Sequence, residues 1–181
     1  MTTGLSLTYT DGTVDIEQNY RFEGELPELP RLGLNFMLGE QYGNISWYGR
    51  GPIESYPDRK EATYIGRWES TLEEQYTPYP RPQDGGNHEE VTDLRLTDHR
   101  GHGIRISAID TPFSFSALPY TAEDLAGATH DCELVPRKQV VVSIDAAVLG
   151  LGNSSCGPGV LKKYVIEKKK EHRLRVRISP L

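Results

Sequence analysis

Apolar and polar residues alternate along most of this chain, with the period of two that is typical of β-strands with one buried face. The alternation is clear in residues 5–9, 32–38 and 172–178. Between the first runs, Asp11-Gly12 predicts a two-residue hairpin turn. Residues 140–148 are the richest in β-branched side chains and predict a central strand. Many short strands with one or two short helices predict an all-β fold, an antiparallel β-sandwich.

Helical signals are few, and two segments show no regular pattern. Thr121, followed three residues later by Asp124, predicts the start of a short helix through a capping box. Residues 69–75 have some helical character but no long amphipathic stripe. Residues 76–87 hold three prolines at alternate positions, and residues 149–159 are rich in glycine, so both predict long irregular loops.

Length and composition favour a single domain that comprises residues 1–181. They also favour a large surface that faces solvent or a partner. The mean hydropathy is −0.54 and 36% of the residues are hydrophobic. Two cysteines, Cys132 and Cys156, do not make a disulfide framework and favour a reducing, cytoplasmic location. The N-terminus lacks the basic region and apolar core of a signal peptide, and no apolar run is long enough for a membrane span. A periplasmic location stays open if a longer parent protein carries a signal peptide.

The charge distribution is uneven and raises the question of nucleic-acid binding. Residues 161–181 hold eight Lys and Arg against two Asp and Glu, in a chain of net charge −6. However, Arg173, Arg175 and Arg177 alternate with apolar residues, which predicts a strand with one solvent-exposed face. No aromatic residues interleave with these charges, so we expect no nucleic-acid partner.

No constellation of residue types predicts catalysis within this chain. None of the histidines has zinc-ligand spacing, so no metal site is expected. Glu89 and Glu90 are adjacent on a predicted strand, where they should point to opposite faces and not work as a glycosidase pair.

The most distinctive segment is the turn at residues 49–59, which we call the 49–59 turn. It holds two glycines and two prolines, which restrict the backbone more than an ordinary loop requires. Glu54, Asp58 and Arg59 are predicted to lock it by charge-assisted hydrogen bonds, and Asp84 is assigned a similar role. Residues 150–159, the 150–159 loop, are either a functional surface loop or a sandwich corner.

Several ordered motifs together resemble the C-terminal domain, or separate small chain, of family-2 β-galactosidases. They are Arg31-Leu32-Gly33-Leu34-Asn35, the run Trp47–Arg59 with its Gly-Pro-x-Glu-x-Tyr-Pro-Asp-Arg signature, Tyr76-Thr77-Pro78-Tyr79, Pro82-Gln83-Asp84-Gly85-Gly86-Asn87, and Ser155-Cys156-Gly157-Pro158. The resemblance implies a supersandwich similar to galactose mutarotase, of which this chain is the later part of a larger C-terminal domain.

The resemblance also implies where the chemistry lies. In the family, the catalytic glutamates belong to a separate TIM-barrel domain, so no catalytic residue is assigned to this chain. The whole enzyme would hydrolyse terminal β-galactosides such as lactose with retention. The expected partners are the sugar and the TIM-barrel domain, in a homo-oligomeric parent. No cofactor is assigned to this chain, and Mg²⁺ and Na⁺ are the ions expected of the parent.

One loop of the family's domain reaches the active site, and it matches the 150–159 loop. The resemblance therefore implies a substrate-pocket role for Asn153, Ser155, Cys156 and Pro158. Cys156 stands where well-known members carry an aromatic residue that stacks on the sugar or aglycone, and a small thiol cannot supply that platform.

Two other functions remain open at this point. The first is a free-standing carbohydrate-binding or mutarotase-like module, for which His88 or His130 with Glu89 are the candidate acid and base. The second is a structural interaction domain without sugar contact, in which an exposed positive edge near Arg173–Arg177 would be a docking face or a guarded strand edge.

Overall fold

The computed structural model describes residues 2–24, 27–152 and 157–181, and these residues form two packed antiparallel sheets. The strands are β1 (Thr2–Thr10), β2 (Thr13–Arg21), β3 (Arg31–Gly39), β4 (Asn44–Gly51), β5 (Tyr64–Thr71), β6 (His88–Val91), β7 (Asp93–Thr97), β8 (Gly103–Ala108), β9 (Phe113–Leu118), β10 (Gln139–Val148) and β11 (His172–Pro180). A single α-helix in the described residues, α1 (Ala122–Gly127), follows β9.

The seven-stranded sheet has the order β1-β2-β11-β8-β7-β4-β5, and the four-stranded sheet has the order β3-β10-β9-β6. The core lies between the sheets. The first sheet contributes Trp47, Leu94 and Ile106, and the second contributes Phe115 and Ile144. Alternation along each strand sends these apolar side chains to one face. The all-β sandwich predicted from the sequence is therefore confirmed.

Local signals in the sequence agree with the structure at three places. Asp11 and Gly12 both have positive φ, 48° and 77°, as a tight hairpin turn between β1 and β2 requires. β10 lies between β3 and β9, so it is a central strand. Thr121 caps α1 through its side chain, and the Asp124 carboxylate accepts from the Thr121 N–H in return.

The helical character expected at residues 69–75 is wrong for residues 69–71 and is limited to a single turn after them. β5 continues to Thr71, where it pairs with Asn44 of β4, and in the turn that follows the Gln75 N–H donates to the Thr71 carbonyl at 3.2 Å. Within β5, Trp68 pairs with Trp47. Pairing with a neighbouring strand outweighs the weak helical propensity of these residues, because sheet packing and burial decide short ambiguous segments.

The exposed positive edge expected near Arg173 and Arg177 is also wrong. β11 lies inside the seven-stranded sheet, between β2 and β8, so it offers no free edge. Its arginines face solvent, as the alternation predicted, but acidic groups balance their charge. Arg177 pairs with Asp15 at 2.7 Å, and Arg175 pairs with Asp110 at 2.9 Å.

Candidate functional site

The 49–59 turn is anchored through the carboxylate of Glu54, which is buried. Its Oε2 accepts a hydrogen bond from the Gly86 N–H at 2.8 Å and one from the Thr77 hydroxyl at 3.3 Å. Its Oε1 accepts from the Tyr79 hydroxyl and forms an ion pair with Arg59 at 3.1 Å. Glu54 therefore holds the turn to the 76–87 segment, and that segment has a defined path although it contains no regular element.

Asp58 lies on the same turn but reaches a different segment. Its Oδ1 accepts from the Leu151 N–H at 3.0 Å, and its Oδ2 accepts from the Gly152 N–H at 2.8 Å. A carboxylate that accepts two backbone N–H groups makes charge-assisted hydrogen bonds, which are stronger than neutral ones. Asp58 therefore joins the 49–59 turn to the beginning of the 150–159 loop. We call the contacts of Glu54, Asp58 and Arg59 with these two segments the polar junction.

Behind the polar junction lies a partly buried chain of polar groups, in which Tyr56 and Asp145 are buried and Asp84 is exposed. The Tyr56 hydroxyl, fully buried, donates to Asp84 Oδ2 at 3.1 Å. Arg31 donates to both oxygens of Asp84, at 2.9 and 3.0 Å, and lies 3.3 Å from Asp145 Oδ2. These contacts connect the 49–59 turn to β3 and β10, so the turn is fixed to the four-stranded sheet as well.

Asp145 is the most deeply buried carboxyl of this group, with 1% of its surface exposed. Burial raises the pKa of Asp145 to about 7, because Arg31 offsets only part of the desolvation and Asp84 adds a like charge. The site is narrow, since a Cβ at the facing Gly33 would lie 2.2 Å from the Asp145 carboxyl.

His88 does not have the environment of a general acid or base. It is 2% exposed and stacks on Phe115 with ring centroids 5.1 Å apart. Its Nδ1 lies 3.2 Å from the Arg50 carbonyl, and its Nε2 lies 3.0 Å from Gln75 Oε1. Burial lowers the pKa of His88 to about 4, so the ring is neutral at pH 7. His130 is exposed beside Glu133, with Nδ1 3.2 Å from Oε1.

The expectation that Glu89 and Glu90 point apart is wrong. Both carboxylates contact the Lys60 ammonium, at 3.3 Å from Glu89 and 3.1 Å from Glu90. The pairing of β6 with β9 shifts between His88 and Val91, and Glu90 has a φ of +57°. An irregularity of this kind redirects a side chain, so the alternation rule fails here. Burial raises the pKa of Glu89, although Lys60 opposes the shift.

The base of the 150–159 loop is compact. The Gly150 N–H donates to the Tyr164 carbonyl at 3.1 Å. Gly152 has a φ of +64°, and a Cβ there would lie 2.9 Å from the Val160 N. The first arm of the loop, residues 150–152, therefore touches the second arm, residues 157–160. Pro158 is exposed at the second arm. Asn153, Ser155 and Cys156 lie outside the described residues, and their pocket role stays a prediction.

Sequence reasoning assigned no structural role to two members of this polar chain, Arg31 and Asp145. A signal for one was present, because Asp145 is the single charged residue in the hydrophobic run 140–148. A charge in a central strand needs a partner, but the sequence alone does not say which cationic side chain supplies it.

In the described ranges, no three His, Cys, Asp or Glu side chains form a group that could bind a metal ion. No described helix has the length and apolar character to cross a membrane.

Comparison with known proteins adds the family to this geometry. Residues 3–178 match the model of the β-galactosidase small chain. A β-galactosidase of Streptococcus thermophilus is 32% identical over 171 residues, which are 94% of this chain and 17% of that protein. One of Lactobacillus delbrueckii subsp. bulgaricus is 35% identical over 180 residues, 98% of this chain and 18% of that protein. The chain thus spans less than a fifth of these relatives.

Proposed function

Since this chain belongs to the β-galactosidase small-chain family, we propose that it is a non-catalytic part of a β-galactosidase. In this proposal it completes the substrate pocket with the 150–159 loop and stabilises the assembly. The sugar would be a terminal β-galactoside such as lactose, and Asn153, Ser155, Cys156 and Pro158 would line one wall of its pocket.

The observation that carries the non-catalytic role is that the buried and half-buried carboxylates already have partners within the fold. Glu54 and Asp58 bind backbone N–H groups of neighbouring segments. Asp145 faces Arg31 inside the sandwich, and Glu89 contacts Lys60. A retaining glycosidase needs two carboxyl groups about 5–5.5 Å apart that flank an accessible sugar. Carboxylates already engaged in holding the fold are poor candidates for that work.

The remaining chemistry is assigned to other parts of the enzyme. Two catalytic carboxylates in a TIM-barrel domain would cleave the glycosidic bond by double displacement with retention. The ions proposed for the parent enzyme are Mg²⁺ and Na⁺, and no cofactor is assigned to this chain. The parent is proposed to be a cytoplasmic homo-oligomer.

A chimera tests this proposal directly. The chain would replace the matching segment of the Streptococcus thermophilus β-galactosidase, and hydrolysis of a chromogenic β-galactoside would be measured. The relative truncated before that segment and the chain alone are the two controls. We expect the chimera to be active and both controls to be inactive. Activity of the chain alone would contradict the proposal, as would an inactive chimera that assembles normally.

A further inference from the structure

We propose that Asp58 is a positioning residue that fixes residues 150–152, where the 150–159 loop begins, and thereby affects how tightly the proposed pocket binds its sugar. This inference rests on the proposed function for its kinetic consequence, but its structural part stands without it. Both oxygens of one carboxylate accept N–H groups of consecutive residues, from Leu151 at 3.0 Å and from Gly152 at 2.8 Å. Such a pair of bonds fixes the direction of the backbone as well as its position.

The carboxylate is held in place before it meets the loop. Residues 56–59 form a tight turn, in which the Arg59 N–H donates to the Tyr56 carbonyl at 2.8 Å. One end of this turn is the fully buried Tyr56. At the other end, Arg59 pairs with Glu54 at 3.1 Å. Asp58 lies between two anchored residues, so little conformational entropy is lost when it binds the loop.

The loop is shaped to receive this carboxylate. A Cβ at Gly150 would lie 2.8 Å from the Asp58 carboxyl carbon, so only glycine permits this approach. At Gly152, the positive φ of +64° favours glycine and turns the chain toward Val160. Because the two arms touch there, a shift at Leu151 and Gly152 would be transmitted to the second arm, which carries Pro158.

The first test is structural and uses the chain by itself. Amide hydrogen exchange at Leu151 and Gly152 is measured in Asp58→Ala, Asp58→Asn and Gly150→Ala. We expect exchange at least about tenfold faster in Asp58→Ala, because charge-assisted hydrogen bonds are lost, and a smaller rise in Asp58→Asn, which keeps one oxygen acceptor. Gly150→Ala should have a similar effect with the carboxylate present. Asp15→Asn, which removes a surface ion pair, is the matched control.

The second test is kinetic and uses the chimera with the Streptococcus thermophilus relative. We expect Asp58→Ala and Gly150→Ala to raise KM several-fold with a smaller change in kcat, because a pocket wall binds substrate and transition state alike. Asp15→Asn should change neither constant. Asp58→Asn should fall between wild type and Asp58→Ala.

The two tests separate the two ideas. Unchanged exchange at Leu151 and Gly152 in all three variants would overturn the assignment of Asp58. Faster exchange with unchanged KM would leave Asp58 as the loop's anchor and would overturn its role at the pocket. An inactive unsubstituted chimera together with faster exchange in the variants would contradict the proposed function alone.

Discussion

The polar junction and the β1–β2 hairpin lie in different parts of the same sandwich, and they are stabilised by different means. At the junction, charged side chains hold irregular backbone, as the buried Glu54 does for Gly86 and the half-buried Asp58 does for Gly152. In the hairpin, a regular backbone ladder pairs β1 with β2 over nine residues each. Its outer strand is exposed, with 62% of Leu7 and 75% of Tyr9 accessible to solvent.

The difference predicts where this domain will tolerate substitution. An irregular segment cannot satisfy its backbone groups with a ladder, so side chains must do so, and each side chain then becomes hard to replace. The hairpin satisfies its backbone internally and needs little from its side chains. We therefore expect substitutions at the junction to cost far more than substitutions of exposed apolar residues in β1.

The largest expected effect is at Glu54. Replacing it with Ala leaves the buried Gly86 N–H without a partner and removes the ion pair of Arg59. We expect the free energy of unfolding to fall by about 3 kcal/mol, since breaking a buried charged network leaves its members uncompensated. Glu54→Gln, which keeps an oxygen acceptor, should lose less. Denaturant unfolding measures both losses. A loss below about 1 kcal/mol in Glu54→Ala would mean that the polar junction contributes no more to stability than ordinary surface residues do.

The second effect is a pH dependence with two opposed contributions. The pKa of Asp145 is raised to about 7, so between about pH 4 and pH 7 the folded state keeps a proton that the unfolded state loses. Stability from this group is therefore lost as the pH rises through that window. The pKa of His88 is lowered to about 4, so its contribution is lost as the pH falls from about 6.5 to 4.

Single substitutions should separate the contributions of Asp145 and His88 to the slope of stability against pH. Between pH 4 and 6.5, Asp145→Asn should make this slope more positive than in wild type. His88→Gln should make the slope more negative than in wild type. Each slope has an upper value of about 1.4 kcal/mol per pH unit. Unfolding by urea at several pH values gives the comparison. If the two variants shift the slope in the same direction, the account of these buried groups is wrong.

A smaller effect is expected at the exposed ion pair between Arg177 and Asp15. The guanidinium donates to both carboxylate oxygens, at 2.7 and 2.8 Å, but both groups are solvent-accessible. Solvent and salt screen such exposed pairs, so their contribution to stability is small. A double-mutant cycle with Arg177→Ala and Asp15→Ala should give a small coupling that decreases in 1 M salt. A large coupling that salt does not reduce would mean that this ion pair stabilises the fold as strongly as the polar junction does.

The smallest expected effect is at Leu7. Its side chain is mostly exposed, so Leu7→Ser should change the free energy of unfolding by no more than about 0.5 kcal/mol. The matched buried control is Leu94→Ala, which should cost about 2–5 kcal/mol in the core. Thermal or denaturant unfolding of both variants makes the test. A large loss in Leu7→Ser would mean that β1 is not the exposed strand described above.

Periodic features of the sequence predicted the sandwich well. The hairpin at Asp11-Gly12, the central strand β10 and the helix cap at Thr121 follow from local rules. The failures have nonlocal causes. β11 became an interior strand because β2 and β8 pair with it, and no local pattern reports its neighbours.

The site was less accessible to sequence reasoning. The charged residues of the 49–59 turn were recognised, and Glu54 pairs with Arg59 inside the turn, but their other partners lie far along the chain. Asp58 was expected to lock its own turn, whereas its carboxylate binds Leu151 and Gly152. The convergence of Glu89 and Glu90 on Lys60 depends on one irregular φ angle. Contacts between distant loops are set by tertiary packing, so one sequence identifies the participants without the pairs.

The central claim is that this domain completes a β-galactoside pocket through the 150–159 loop. The most direct test is to replace residues 153–158 with a Gly/Ser segment of equal length in the chimera and to measure KM and kcat for a chromogenic β-galactoside. A matched control makes an equal replacement in the exposed turn at residues 98–102. The account predicts a KM raised several-fold by the loop replacement and unchanged by the control. Unchanged kinetics in a normally assembled loop variant would contradict it.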